Sequence, residues 1–144
     1  MSERTLNIIL VDDDDVDVMN VQRSFAKGHI KNPIWVAQDG ISALSLLRSG
    51  QVPPARRLVL LDLNMPRMNG IEFLRQVRAD PRLHMTPVVV LTTSNDDRDK
   101  VEAYNLNVAG YLLKPVTFQA FVELIETVNT YWSIAELPPP SPMA

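Results

Sequence analysis

Short apolar runs alternate along the chain with segments of helical period. The runs are Asn7–Val11, 33–37, Arg57–Leu61, 87–91 and, more weakly, Gly110–Leu113, and each has strand length. The first, third and fourth are continuously apolar, as expected of parallel strands covered on both faces. Between and after them, apolar residues recur at helical spacing. They are Val18, Val21 and Phe25, then Ile41, Leu44 and Leu47, then Ile71, Leu74 and Val77, then Val101 and Tyr104, and last Phe118, Phe121, Val122, Ile125 and Val128. Gly28, Gly50 and Pro81 mark three helix stops. A β-α unit repeated five times predicts a three-layer α/β domain: a doubly wound parallel sheet with helices on both faces and right-handed crossovers.

Composition bounds that domain. A chain of 144 residues, 46% hydrophobic and 22% charged, supports one core without covalent staples. The expected organisation is an N-terminal extension over 1–5, the domain over 6–133, and a flexible tail over 134–144 whose prolines cannot continue a helix. This leaves no room for a second, DNA-binding domain. A net charge of −3 gives no basic footprint for nucleic acid or an anionic membrane. The absence of cysteine excludes disulfides, thiolate metal sites and a cysteine nucleophile. With no signal peptide and no apolar run of membrane-spanning length, a cytoplasmic protein is expected. His29 and His84 lack ligand spacing.

In an open α/β sheet, ligands bind beyond the carboxyl ends of the strands, so the residues after each run carry the candidate chemistry. Asp12, Asp13, Asp14, Asp15 and Asp17 follow the first run, Asp62 and Asn64 the third, Thr92, Thr93 and Ser94 the fourth, and Lys114 and Pro115 the fifth. If the first and third strands are neighbours, Asp12, Asp13 and Asp62 crowd together. Like charges at about 4 Å repel by about 4 kcal/mol at an effective dielectric near 20. A hard divalent cation such as Mg²⁺ relieves that cost. Asp14 or Asp15 is expected to cap the first helix, which leaves Asp62, at the end of a buried strand, without a structural account. A carboxylate there can attack phosphorus and become an aspartyl phosphate. Such transfer depends on positioning and charge neutralisation. Mg²⁺ held by Asp13, Asp62 and the Asn64 carbonyl, the Lys114 ammonium and the Thr92 hydroxyl would supply both.

These residues, in this order and spacing, resemble a known family. Val11-Asp12-Asp13, the stretch from Leu61 through Pro66 with Gly70, Val90-Leu91-Thr92 and Lys114-Pro115 are similar to the receiver domain of two-component response regulators over roughly residues 6 to 130. The resemblance implies a flavodoxin-like sheet of order 2-1-3-4-5 and a phospho-acceptor at Asp62. It also implies Asp12 and Asp13 as the acidic pair, Mg²⁺ as cofactor, and a sensor histidine kinase as partner. Thr92 and Lys114 would sense the phosphoryl group, Tyr111 would be the aromatic switch, and the Lys114-Pro115 peptide would be cis. The signal would pass to the face built from the fourth helix, the fifth strand and the fifth helix. Val90 through Ser94, followed by acids, and Tyr131-Trp132 before Leu137-Pro138 resemble the single-domain subgroup that works with phytochrome-type kinases. Leu124, Tyr131 and Trp132 fall partly outside the stripe of the last helix that faces the sheet, which makes them the candidate homodimer face.

The principal rival is an enzyme, a small Mg²⁺-dependent phosphatase of the haloacid-dehalogenase type with Asp12 as nucleophile and Asp14 as acid/base. It lacks the expected threonine, since position 16 is Val16, and it leaves Asp62 idle. A calcium loop over Asp13, Asp15 and Asp17 fails because its sixth position is Val18 and its twelfth Ser24. The receiver reading is therefore the one adopted: a phospho-acceptor with at most slow self-dephosphorylation. No role is legible for Asp14, Asp15 or Asp17 beyond helix start and solvation.

Overall fold

The computed structural model describes residues 5–140. Its elements alternate without exception: β1 (Asn7–Val11), α1 (Asp15–Lys27), β2 (Ile34–Ala37), α2 (Gly40–Arg48), β3 (Arg57–Leu61), α3 (Gly70–Ala79), β4 (Val88–Thr92), α4 (Asp97–Asn105), β5 (Gly110–Leu113) and α5 (Phe118–Ile134). The strands form one sheet of order β2-β1-β3-β4-β5, and every pairing is parallel. The three continuously apolar runs are the central strands, and all their residues are buried. The other two runs, β2 and β5, take the edges and are partly exposed.

Strand alternation divides the core into two layers. Ile9, Val11, Val59, Leu61, Val88 and Val90 point to one face, where Leu44, Phe73 and Leu74 of α2 and α3 cover them. Ile8, Leu10, Leu58, Leu60, Val89 and Leu91 point to the other, under Val21 and Phe25 of α1 and Phe121 and Ile125 of α5. Burying a large aliphatic or aromatic side chain contributes about 1.5–3 kcal/mol, so each central strand is held from both sides.

Each helix begins on a residue whose side chain accepts backbone N–H groups: Asp14, Asp39, Asn69, Asp96 and Thr117. Asn69 forms a reciprocal capping box with Glu72. Each cap starts its helix within a few residues of the preceding strand end, save after β3, where the connection at the carboxyl edge of the sheet runs over 62–69. After α5, residues 135–140 form neither helix nor strand, although Leu137 packs against the α1/α5 core layer. Positions 1–4 of the expected extension and 141–144 of the tail lie outside the described residues. Among the described residues no helix is long and apolar enough to cross a membrane.

Candidate functional site

The register of the central strands assembles the site. Val11 pairs with Leu61 across β1 and β3, so Asp12 and Asp62 leave the sheet side by side. The Asp62 N–H donates to the Val11 carbonyl, and the Asp12 N–H donates to the Ala37 carbonyl. Both aspartates are buried, whereas Asp13 is exposed at the rim. Oxygens of Asp12, Asp13 and Asp62 lie within 4.8 Å of one another. Three carboxylates at that spacing offer hard oxygen donors with an open side, which suits Mg²⁺ with retained waters.

Two further strand ends close the site. The Thr92 hydroxyl, fully buried at the end of β4, donates to Asp62 Oδ1 at 2.8 Å. The Asn64 N–H reaches the same oxygen at 3.3 Å. From the end of β5, Lys114 Nζ lies 2.8 Å from Asp12 Oδ2, 2.6 Å from Asp17 Oδ2 and 3.5 Å from Asp62 Oδ2. Burial pushes the Asp12 carboxyl up to about 6, against the pull of the Lys114 ammonium. Burial also opposes the Lys114 charge, but its bonds to Asp12 and Asp17 outweigh that and hold its pKa above the ordinary lysine value. Lys114 is therefore a fixed cation.

The β3–α3 loop is held from beneath. Asp39 caps α2 through the Ser42 N–H and pairs with the Arg67 guanidinium, whose backbone sits at φ 60. The Met68 carbonyl accepts from the Gly40 N–H, and the Leu63 carbonyl accepts from the Gly70 N–H. A β-carbon at position 70 would stand 2.7 Å from the Asp62 carbonyl oxygen and from Leu63 Cα, so glycine is required by close approach.

The structure thus brings Asp12, Asp13, Asp62, Asn64, Thr92 and Lys114 to one sheet edge. Tyr111, on β5, donates its hydroxyl to the Ser94 carbonyl of the β4–α4 loop at 2.9 Å. Asp14 caps α1, accepting from the Val16 and Asp17 N–H groups. One expectation is overturned: the Lys114-Pro115 peptide is trans, as is every peptide among the described residues. An X-Pro bond favours trans by about 0.5–1 kcal/mol, and in this form the Lys114 N–H donates to the Thr92 carbonyl while Nζ reaches Asp12. Leu124 and Trp132 are half-buried against the α1/α5 core layer, and Tyr131 is 60% exposed. Sequence reasoning missed Asp17 as a Lys114 partner and the Asp39–Arg67 pair. Asp39 ahead of the Ile41, Leu44 and Leu47 pattern was a readable cap signal, whereas Asp17 and Lys114 are 97 positions apart and no spacing links them.

Residues 8–126 match the response regulator receiver domain model, and the chain belongs to that family. It is 39% identical over 127 residues to the probable methanogenesis regulatory protein FilR2 of Methanothrix harundinacea, covering 87% of this chain and 82% of that one. It is 32% identical to the response regulator Rcp1 of Synechocystis sp., covering 87% of each chain. The crystal structure of the phosphorylated cyanobacterial phytochrome response regulator RcpA superposes with a TM-score of 0.83 at 33% identity, over 93% of this chain and 99% of that one. The Mn²⁺-bound form of Rcp1 superposes with a TM-score of 0.80 at 32% identity, over 92% and 99%. The flavodoxin-like receiver fold expected from sequence is the fold observed, and the phosphatase reading gives way to the receiver family.

Proposed function

We propose that Asp62 is the phospho-acceptor of this receiver, charged by the phosphohistidine of a sensor histidine kinase. One observation carries the reading: a buried carboxylate lies between two further aspartates, a buried ammonium and a buried hydroxyl donor. An Asp62 oxygen attacks phosphorus, the phosphorus–nitrogen bond breaks, and the departing imidazole takes up a proton. Asp12, Asp13, Asp62 and the Asn64 carbonyl would hold Mg²⁺, which supplies charge neutralisation at the phosphoryl oxygens. Asp12 keeps Lys114 within reach of the same oxygens.

The consequence is a change of partners. Thr92 now donates to the Asp62 carboxylate; a phosphoryl oxygen would compete for that hydroxyl as a stronger acceptor. Moving Thr92 moves the β4–α4 loop, because the Ser94 N–H contacts Thr92 Oγ1 at 3.3 Å and the Ser94 carbonyl holds Tyr111. Local charge thereby biases the surface built from α4, β5 and α5. The protein acts as a phosphorylated switch that turns over no metabolite and hydrolyses its own acyl phosphate slowly. A phytochrome-type sensor kinase as partner accords with the likeness to the phytochrome response regulator RcpA, and a bacteriophytochrome-type kinase with the likeness to bacteriophytochrome response regulators of known structure.

The same surface supports a homodimer. Leu112, Leu124, Val128, Tyr131 and Trp132 line an apolar groove between β5 and α5, with Tyr131 exposed there and Ile134 exposed further along α5. Sedimentation tests this reading, with dimers expected at micromolar protein in the presence of a phosphoryl analogue and monomers at every concentration counting against it. The acceptor assignment is tested by phosphotransfer from sensor kinases of the source genome, with label expected on wild type and none on Asp62→Asn.

A further inference from the structure

Asp17 enters the site from α1 and is no part of the metal-facing triad. Its Oδ2 nevertheless makes the shortest contact to Lys114 Nζ, 2.6 Å, against 2.8 Å for Asp12 and 3.5 Å for Asp62. An ammonium has three donors, and two of them are committed to Asp12 and Asp17. The Lys114 side chain is only 6% exposed, so water gives it little alternative. Charge-assisted bonds run about 2.7–2.9 Å, so at 3.5 Å Nζ makes no such bond to the Asp62 carboxylate, and its bonds to Asp12 and Asp17 oppose any closer approach to a group on Asp62. Asp12 cannot follow freely: it is buried at the end of β1, and its other oxygen accepts the Asp14 N–H at 2.9 Å. Asp17 is 23% exposed at the mouth of the site and can turn to solvent.

Resting on the acceptor reading above, we propose that Asp17 is a positioning residue that holds Lys114 back from Asp62, a built-in counter-anion that an arriving phosphoryl group must displace. Asp17 thereby sets the affinity of the site for the phosphorylated state without touching phosphorus or metal. Removing its charge frees one Lys114 donor for the phosphoryl oxygens. A residue that merely ordered the lysine would have the opposite effect, since its loss would weaken binding.

The test uses beryllofluoride with Mg²⁺ as the phosphoryl probe, titrated by tryptophan fluorescence or NMR into wild type, Asp17→Asn, Asp17→Ala and Asp62→Asn. Asp17→Asn and Asp17→Ala are each expected to bind beryllofluoride about 5-fold more tightly than wild type, the scale of one partly exposed ion pair. Equal or weaker binding in whichever of the two folds overturns the inference while leaving the acceptor assignment standing. Failure of wild type to bind at all, or binding by Asp62→Asn equal to wild type, overturns the acceptor reading and the inference with it.

Discussion

Replacing Lys114 by Met keeps a long apolar stem and removes the ammonium that pairs with the site's carboxylates. The ammonium touches Asp12 and Asp17 and lies 3.5 Å from Asp62, with 6% of the side chain exposed. Deleting one partner of a buried ion pair costs about 3–5 kcal/mol. Two escapes lower that figure here. Asp17 can turn toward water, and Asp12, already at a pKa of about 6, can take a proton. We expect a loss of about 3 kcal/mol at pH 8 and about 1 kcal/mol at pH 5. The sign follows from Asp12. Its folded pKa lies above its unfolded one, so the native state holds a proton that the unfolded chain releases as pH rises between the two values. Removing Lys114 raises the folded value further and extends that window upward, so the deficit grows above pH 6. Denaturant unfolding at the two pH values, with and without millimolar Mg²⁺, measures it. The cation should restore part of the loss at pH 8, because it takes over the neutralising role. A deficit of the same size at both pH values and unchanged by Mg²⁺ would show that Asp12 does not take up a proton in place of the lost ammonium.

Other perturbations separate structural from chemical roles. Gly70→Ala drives a β-carbon against the backbone of Asp62 and Leu63; it should cost about 1–3 kcal/mol in thermal unfolding and slow phosphoryl uptake as the acceptor is displaced. Asp14→Ala removes the α1 cap and should cost about 1 kcal/mol, yet leave phosphoryl uptake near the wild-type rate, whereas a phosphatase using Asp14 as acid/base would be silenced. Asp39 is held below the usual carboxylate range by the Ser42 N–H and then by Arg67, so it contributes stability above its unfolded pKa that is lost as pH falls through the lower folded value. Asp39→Asn should therefore be less stable at pH 7, by about 1 kcal/mol, and show a shallower acid transition below about pH 4.

The strands, their parallel arrangement and the gathering of Asp12, Asp62, Thr92 and Lys114 at their carboxyl ends were legible because each rests on local pattern. Uninterrupted apolar runs separated central from edge strands, and the residue after each run had to lie at the sheet edge. Gly28 did end α1, but the left-handed residue is His29 at φ 55 rather than the glycine at φ −85, since the chain turns one position later. The trans Lys114-Pro115 bond was not readable, because an X-Pro dipeptide admits both isomers at small cost. Long polar side chains were the least legible. Asp17 finds Lys114, Arg67 finds Asp39, and Arg78 donates to the carbonyls of His84, Thr86, Leu106 and Asn107. These pairings join distant segments through rotamers that no periodicity records.

Locating the phosphoryl group itself identifies the acceptor. The protein is charged by a sensor kinase or a small phosphodonor in Mg²⁺, the acyl phosphate is trapped by borohydride reduction, and the modified residue is identified by peptide mass spectrometry. An acceptor at Asp62 predicts modification at that residue alone, abolished in Asp62→Asn. Trapped product at Asp12 or Asp13 in the wild type, or undiminished label in Asp62→Asn, would contradict it.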